Sequence, residues 1–301
     1  CAPFAVLVPF NAWGAYIITQ IGNYNIENAI GVFSGSMIYF FYPILALILT
    51  ASTILFSINL GKMSDFEAQE KAVESHIVTE SEGKLSYFLV PICVLIFGML
   101  FFMYYTGDGS IRQGSGSKSV LYAIITSLIV AFFMYKKDGV FSYSSFMEES
   151  FEGMKHLLDV VLILIASFAI NAVCKDLETG KYLSGVLAAN IPIWTIPSVI
   201  FLLSGTIAFS TGTSWGTFAI MLSVGIPIAQ TLHIPTEIIV GAVVSGGVFG
   251  DHCSPISDTT VMSSLAADCS HIDHVHTQLP YALIAGGLSF LLFLISGLIV
   301  V

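Results

Sequence analysis

From Tyr182 to Thr236 the chain carries no Asp, Glu, Lys or Arg, and none occurs from Pro280 to Val301. A water-soluble fold has no means of coating runs of this kind. Over 301 residues, 55% are hydrophobic and 10% charged, with a mean hydropathy of +0.87; soluble domains run near ~25% charged. In a bilayer every backbone polar group must be satisfied within the protein, which favours helices wherever apolar runs are long. The sequence therefore predicts an all-α polytopic membrane protein, multi-pass in the cell membrane, with a bacterial cytoplasmic membrane as the expected location and the lipid bilayer as its surroundings.

About 20 apolar residues, rising ~1.5 Å each, cross a hydrocarbon core of ~30 Å. Continuous candidates are residues 36–60, 87–105, 119–135, 156–174, 184–208 and 280–300. Residues 1–26 are uncharged but interrupted by Pro3, Pro9, Asn11 and Gly14, whereas 218–232 and 238–250 each look too short to cross alone. Breaks are expected at 210–217 (Ser210-Thr211-Gly212-Thr213-Ser214-Trp215-Gly216-Thr217) and in the string from Gly250 to Thr260, preceded by Ser245-Gly246-Gly247. Two interrupted segments close together point to a transporter's binding site. The expectation is roughly 7–9 transmembrane helices, including broken helices and a re-entrant hairpin, as part of a two-repeat transporter fold.

Residues 1–301 read as a single membrane domain, with 61–86 as an acidic hydrophilic loop holding nine charged residues. Residues 106–118 read as a connection and 136–155 as an amphipathic segment at the interface. Two echoes hint at an internal repeat. Ala12-Trp13-Gly14 resembles Ser214-Trp215-Gly216, and Cys1-Ala2-Pro3 resembles Cys253-Ser254-Pro255, in registers that cannot both be right. Because the chain opens at Cys1 directly in apolar sequence, it is expected to be the C-terminal part of a longer protein.

The net charge of -10 comes largely from acidic connecting segments, and no basic patch exists for nucleic acid. Loops 61–86 and 136–155 hold six Lys and Arg against four in 106–118 and 175–181. That small excess places the first pair in the cytoplasm. The five cysteines lack the paired spacing of a disulfide framework or a zinc site.

Against this background, Gly250-Asp251-His252-Cys253-Ser254-Pro255-Ile256-Ser257-Asp258-Thr259-Thr260 is an anomaly, because ionisable groups inside a membrane are costly and mark function. This string, followed by His271-Ile272-Asp273-His274-Val275 and Thr277-Gln278-Leu279-Pro280-Tyr281-Ala282, resembles the signature of the NhaC-type Na⁺/H⁺ antiporter family. Thr211 to Thr217 is similar to a second block of that family, and Val8-Pro9-Phe10-Asn11-Ala12-Trp13-Gly14-Ala15-Tyr16 to a third. The resemblance implies a secondary antiporter of the ion-transporter superfamily that exchanges Na⁺ for H⁺. Some relatives couple this exchange to small carboxylates such as malate and lactate.

A Na⁺ site needs hard oxygen ligands, and Asp251, Ser254, Ser257, Asp258, Thr259 and Thr260 offer them within ten residues. Pro255 is expected to free carbonyls near residues 251 and 252. A poorly solvated carboxylate holds its proton more tightly while bound Na⁺ opposes that, so the two cations compete for one group. The plainer alternative is that these residues only cap helix halves and turns. Thr211, Thr213, Ser214 and Asn11 could face the same cavity, or simply bond the backbone. His252 could tune Asp251 or relay protons, or be a hydrogen-bonded packing residue.

His271, His274 and His276 with Asp268 and Asp273 superficially suggest a metal cluster, but Ser270 with Asp273 reads as a capping box. Asp159 would reach the headgroups, and Asn171 would join helices. No cofactor and no metal beyond transported Na⁺ is expected. Na⁺ and H⁺ are the expected partners, with a small carboxylate and a homo-oligomeric partner left open. No enzyme is expected. A carboxylate-coupled antiporter is the runner-up, mildly disfavoured because no intramembrane Arg is visible, and an intramembrane hydrolase and a channel are the more distant readings.

Overall fold

A computed structural model describes residues 2–8, 12–66, 84–110, 114–156, 189–267 and 269–301, with scattered positions between 158 and 186. Asn11, Asp159, Asn171, Asp268 and the side chain of Asp258 lie outside the described residues. All regular structure among the described residues is helical. In chain order it comprises α1 (Ala2–Leu7), α2 (Ala12–Gly22), α3 (Ala29–Ser36), α4 (Phe41–Phe56), α5 (Ser86–Thr106) and α6 (Gly116–Lys137). It continues with α7 (Tyr143–His156), α8 (Ile196–Thr211), α9 (Ser214–Leu232), α10 (Thr236–Cys253), α11 (Asp258–Ala266) and α12 (His271–Val300).

Among the described residues five helices are long and apolar enough to cross a membrane. The number is six if α3, the short turn Met37–Tyr39 and α4, bent by 44°, form one broken span. Runs 87–105, 119–135 and 280–300 fall on α5, α6 and α12, and run 36–60 falls on the bent segment. Run 156–174 lies largely outside the described residues. One expectation is corrected. Residues 218–232 are not a short piece, because the helix starts at Ser214 and runs through Pro227 to Leu232. The second break falls inside the Gly250–Thr260 string, since α10 is continuous through Gly246 and Gly247 to Cys253 and α11 starts at Asp258.

The chain divides into two compact units. The smaller holds Pro9–Tyr16 and His76–Leu162. In it α5 and α6 pack along each other around Met99, Met103 and Ala123. Pro91 inside α5 has no N–H, so the carbonyl of Tyr87 loses its helical donor. The hydroxyl of Tyr135 on α6 donates to that carbonyl at 3.2 Å. Phe146 of α7, in the segment expected to be amphipathic, packs its ring 5.1 Å from Phe132.

The larger unit holds Cys1–Val8, Ile17–Ser75 and Ile163–Val301. Its centre is the close pairing of α8 with α10. Lipid tails are as apolar as Leu, so membrane helices associate by tight packing rather than by hydrophobic burial. Gly246 and Gly250, one turn apart on α10, lie against the backbone of Phe201, Gly205 and Phe209 on α8. A Cβ at either position would meet main-chain atoms that cannot move aside. Around this seam the Phe249 ring stacks on Phe201 at 5.6 Å and meets Tyr42 of α4 at 5.3 Å, while Phe293 of α12 lies 5.4 Å from Phe201. Pro227 frees the carbonyl of Ser223 within α9, and the hydroxyl of Tyr24 donates to it at 3.3 Å.

Candidate functional site

Two helix breaks meet inside the larger unit. The first is two residues long. Gly212 ends α8 at φ +66, Thr213 is extended, and Ser214 opens α9. The second follows from Pro255, which disfavours helical backbone at the residue before it. Ser254 accordingly turns to φ -78, ψ 127 and α10 stops at Cys253. The breaks touch, because a Cβ on Gly212 would lie 2.7 Å from the carbonyl oxygen of Ile256. Only glycine meets both demands, a left-handed φ and no side chain.

Asp251 occupies the last turn of α10 and is fully buried. Its carboxylate is served from across the break. The Ser257 hydroxyl donates to Oδ1 at 2.9 Å and the Thr259 hydroxyl to Oδ2 at 2.6 Å. Ser257 Oγ also accepts the Thr260 N–H at 3.3 Å, as an N-cap of α11 would. The carboxylate therefore faces the start of α11, the positive end of a helix dipole. Ser254 points the other way, donating to the Phe209 carbonyl at 2.8 Å and tying this break to the last turn of α8.

The structure thus gathers Asp251, Ser257 and Thr259, and places Ser254 and Thr260 beside them. Thr260 Oγ1 and Thr213 Oγ1 are buried without a hydrogen-bond partner among the described residues. Ser214 Oγ reaches the Gly247 carbonyl at 3.3 Å, joining α9 to α10. Thr211 is not brought in: it is exposed and its hydroxyl bonds Ile207 of its own helix.

His252 points away from this cluster. Its Nδ1 lies 2.8 Å from the Tyr42 hydroxyl, and its carbonyl, one of those Pro255 was expected to free, accepts the Gln278 amide of α12. The other such carbonyl, that of Asp251, accepts the Ser254 N–H at 3.1 Å. Tyr42 was not singled out from the sequence, and Gln278 stood only within the Thr277–Ala282 block of the family resemblance, with no role given to it. Gln278 left a trace, as an uncharged polar residue shortly before Pro280 in an apolar run; Tyr42 left none.

His271 Nε2–H donates to the Pro255 carbonyl at 2.6 Å, and its Nδ1 lies 3.3 Å from Ser264 Oγ. His276 Nδ1 faces Lys62 Nζ at 3.3 Å. Among the described residues no three His, Cys, Asp or Glu gather as a metal would need. Ser270 does sit at the N-cap of α12 with Asp273 in the first turn, but its side chain makes no capping bond.

A groove of ≈ 410 Å³ opens on the other side of His252. Tyr42, His252, His274, Thr277, Gln278 and Tyr281 contribute its polar lining, and α4 much of its apolar wall.

Long apolar helices, two touching helix breaks and a buried carboxylate ringed by hydroxyls define a multi-pass helical membrane protein of transporter type. The family model for the Na⁺/H⁺ antiporter family matches residues 4–298. The chain belongs to that family. It is 36% identical over 306 residues to an uncharacterised protein of Haemophilus influenzae, covering 93% of this chain and 59% of that one. A malate-2H⁺/Na⁺-lactate antiporter of Bacillus subtilis is 30% identical over 182 residues, covering 57% of this chain and 37% of the relative. An arginine/ornithine antiporter of Halobacterium salinarum is 37% identical over 97 residues, covering 32% and 20%. The chain thus spans 59% or less of the length of each of these relatives. No solved structure matches.

Proposed function

We propose that this chain is the ion-handling part of a secondary active transporter that exchanges Na⁺ for H⁺, with Asp251 and Asp258 as the shared carboxylates. The observation that carries the reading is the Asp251 carboxylate, fully buried at a helix break with a hydroxyl on each oxygen. Such hydroxyls have two roles. They donate to an ionised carboxylate, and their lone pairs can turn towards a cation held beside it. Thr260 Oγ1 and Thr213 Oγ1, buried and unpartnered among the described residues, add two more hard oxygens. A proton on Asp251 removes the negative charge that attracts Na⁺, so one occupant excludes the other. Alternating exposure of the site then converts exclusion into exchange, with Na⁺ as cargo rather than resident cofactor.

The test uses the full-length protein in proteoliposomes, following collapse of a pH gradient on addition of Na⁺, Li⁺ or K⁺. Asp251→Asn and Asp258→Asn are each expected to abolish Na⁺-dependent proton movement, and unchanged exchange removes that carboxylate from the site.

A second reading, in which a small carboxylate such as malate or lactate moves with Na⁺ and H⁺, draws support from the name of the Bacillus relative. Hydrolase chemistry fits less well. The Ser–His contact among the described residues, Ser264 with His271, has its hydroxyl donating to the Val261 carbonyl at 2.8 Å and its imidazole on Pro255. That contact is therefore not a free nucleophile–base pair.

A further inference from the structure

The groove beside His252 is not needed to hold a bare cation. Its volume of ≈ 410 Å³ is that of a site for a small organic molecule. Its wall is divided by chemistry. Ala46, Leu47, Leu49 and Ile54 of α4, with Met63, form an apolar side, and His252, His274 and Gln278 form a polar one. None of the described residues that line it is Asp or Glu, which disfavours a cationic occupant.

Several features favour a negative group at the polar side. Two imidazoles line it, and Nε2 of His274 is buried without a hydrogen-bond partner among the described residues. Nδ1 of His252 pairs with the Tyr42 hydroxyl at 2.8 Å, and in the tautomer that accepts from Tyr42 the other ring nitrogen is an N–H donor. His274 lies just inside the start of α12, where the helix dipole is positive. The His252 carbonyl at the end of α10 would repel an anion, and it is already capped by the Gln278 amide. The lining hydroxyls of Thr50, Thr53 and Thr277 bond carbonyls of their own helices and do not compete for a ligand. An acyl chain of a lipid could fill the apolar side, but it would leave the imidazoles unanswered.

We propose that this groove binds a small organic carboxylate, its anionic end on His274 and His252 and its carbon body against α4. The proposal deepens the carboxylate-coupled reading above and rests on it. It concerns a different site from that of Asp251, which does not line the groove.

The test places a single reporter thiol in the groove of the full-length protein. Thr53→Cys is made with the native cysteines other than buried Cys253 replaced by Ser, and Thr50→Cys serves if the first variant folds poorly. Labelling by a water-soluble maleimide is timed in proteoliposomes with lactate, malate, the neutral methyl ester of lactate, chloride or Na⁺. A carboxylate at ten times its dissociation constant is expected to slow labelling roughly tenfold. The ester and chloride should not, and His274→Ala should remove the protection. Equal protection by the ester overturns the anionic end, and protection unchanged by His274→Ala overturns the imidazole contact. Carboxylate-coupled proton movement without any protection overturns the groove while sparing the carboxylate-coupled reading. Absence of both overturns the two together.

Discussion

The Thr259 hydroxyl lies 2.6 Å from Oδ2 of Asp251, reaching back across the break that separates α11 from the helix carrying the carboxylate. A hydrogen bond to a charged group is worth about 1.5–3 kcal/mol. Thr259→Val keeps the shape and removes the hydroxyl. Its expected effect is a rise of about tenfold or more in the Na⁺ concentration for half-maximal proton release, since ~1.4 kcal/mol is one decade. Thr259→Ser should restore most of the affinity. The measurement is a Na⁺ titration of pH-gradient collapse in proteoliposomes.

Gly212 is expected to tolerate no side chain. Ala in a left-handed conformation costs about 1–2 kcal/mol, and its Cβ would also press on the Ile256 carbonyl at 2.7 Å. Gly139 supplies an internal control, with φ +72 but nothing within 4 Å of its would-be Cβ. Thermal unfolding in detergent should show Gly212→Ala losing clearly more stability than Gly139→Ala, and only the former should impair transport.

The Tyr42–His252 contact couples α4 to α10. Tyr42→Phe leaves a buried imidazole nitrogen unanswered, at about 1–3 kcal/mol. Gln278→Leu does the same to the His252 carbonyl. The two partners serve one residue, so the double variant should depart from additivity. Denaturation midpoints of the single and double variants measure that departure.

In the smaller unit, Asp138 accepts from Lys84 Nζ and the Tyr87 hydroxyl, both at 2.7 Å. Its carboxyl is held below the ordinary aspartate value of 3.8, chiefly by the Lys84 hydrogen bond and then by Tyr87. A depressed folded-state value means the stabilisation is present above 3.8 and is lost as pH falls through the lower folded value. The pair is exposed, so salt screens it. Asp138→Asn should lower the melting temperature only slightly at neutral pH, and should flatten the acid limb of stability against pH by the same small amount.

Much of this architecture was legible in the sequence wherever one residue type dictates the backbone. Pro255 stops α10 two residues ahead of itself, at Cys253, and Gly212 marks the other break. The echo between Ala12-Trp13-Gly14 and Ser214-Trp215-Gly216 falls in both cases on the first turn of a helix. The role of Gly246 was not legible, because glycine serves equally for breaking a helix and for close approach of two, and only the neighbour decides. Nothing local told that α10 has α8 against it there. Likewise Tyr42 meets His252 across 210 positions of chain, a pairing that no periodicity encodes. The ring of hydroxyls on Asp251 was foreseeable as a set, but not which member serves which oxygen.

The interlock of Gly246 and Gly250 with the α8 main chain bears on how any solute gains entry. Two helices seated backbone to backbone leave no space for a side chain between them, so no path to Asp251 runs through the seam of α8 and α10. Asp251 and the Phe209 carbonyl that anchors Ser254 belong to the two helices of that seam. The side chains of α4 and α12 reach the end of α10 through Tyr42 and Gln278, on faces the seam does not occupy.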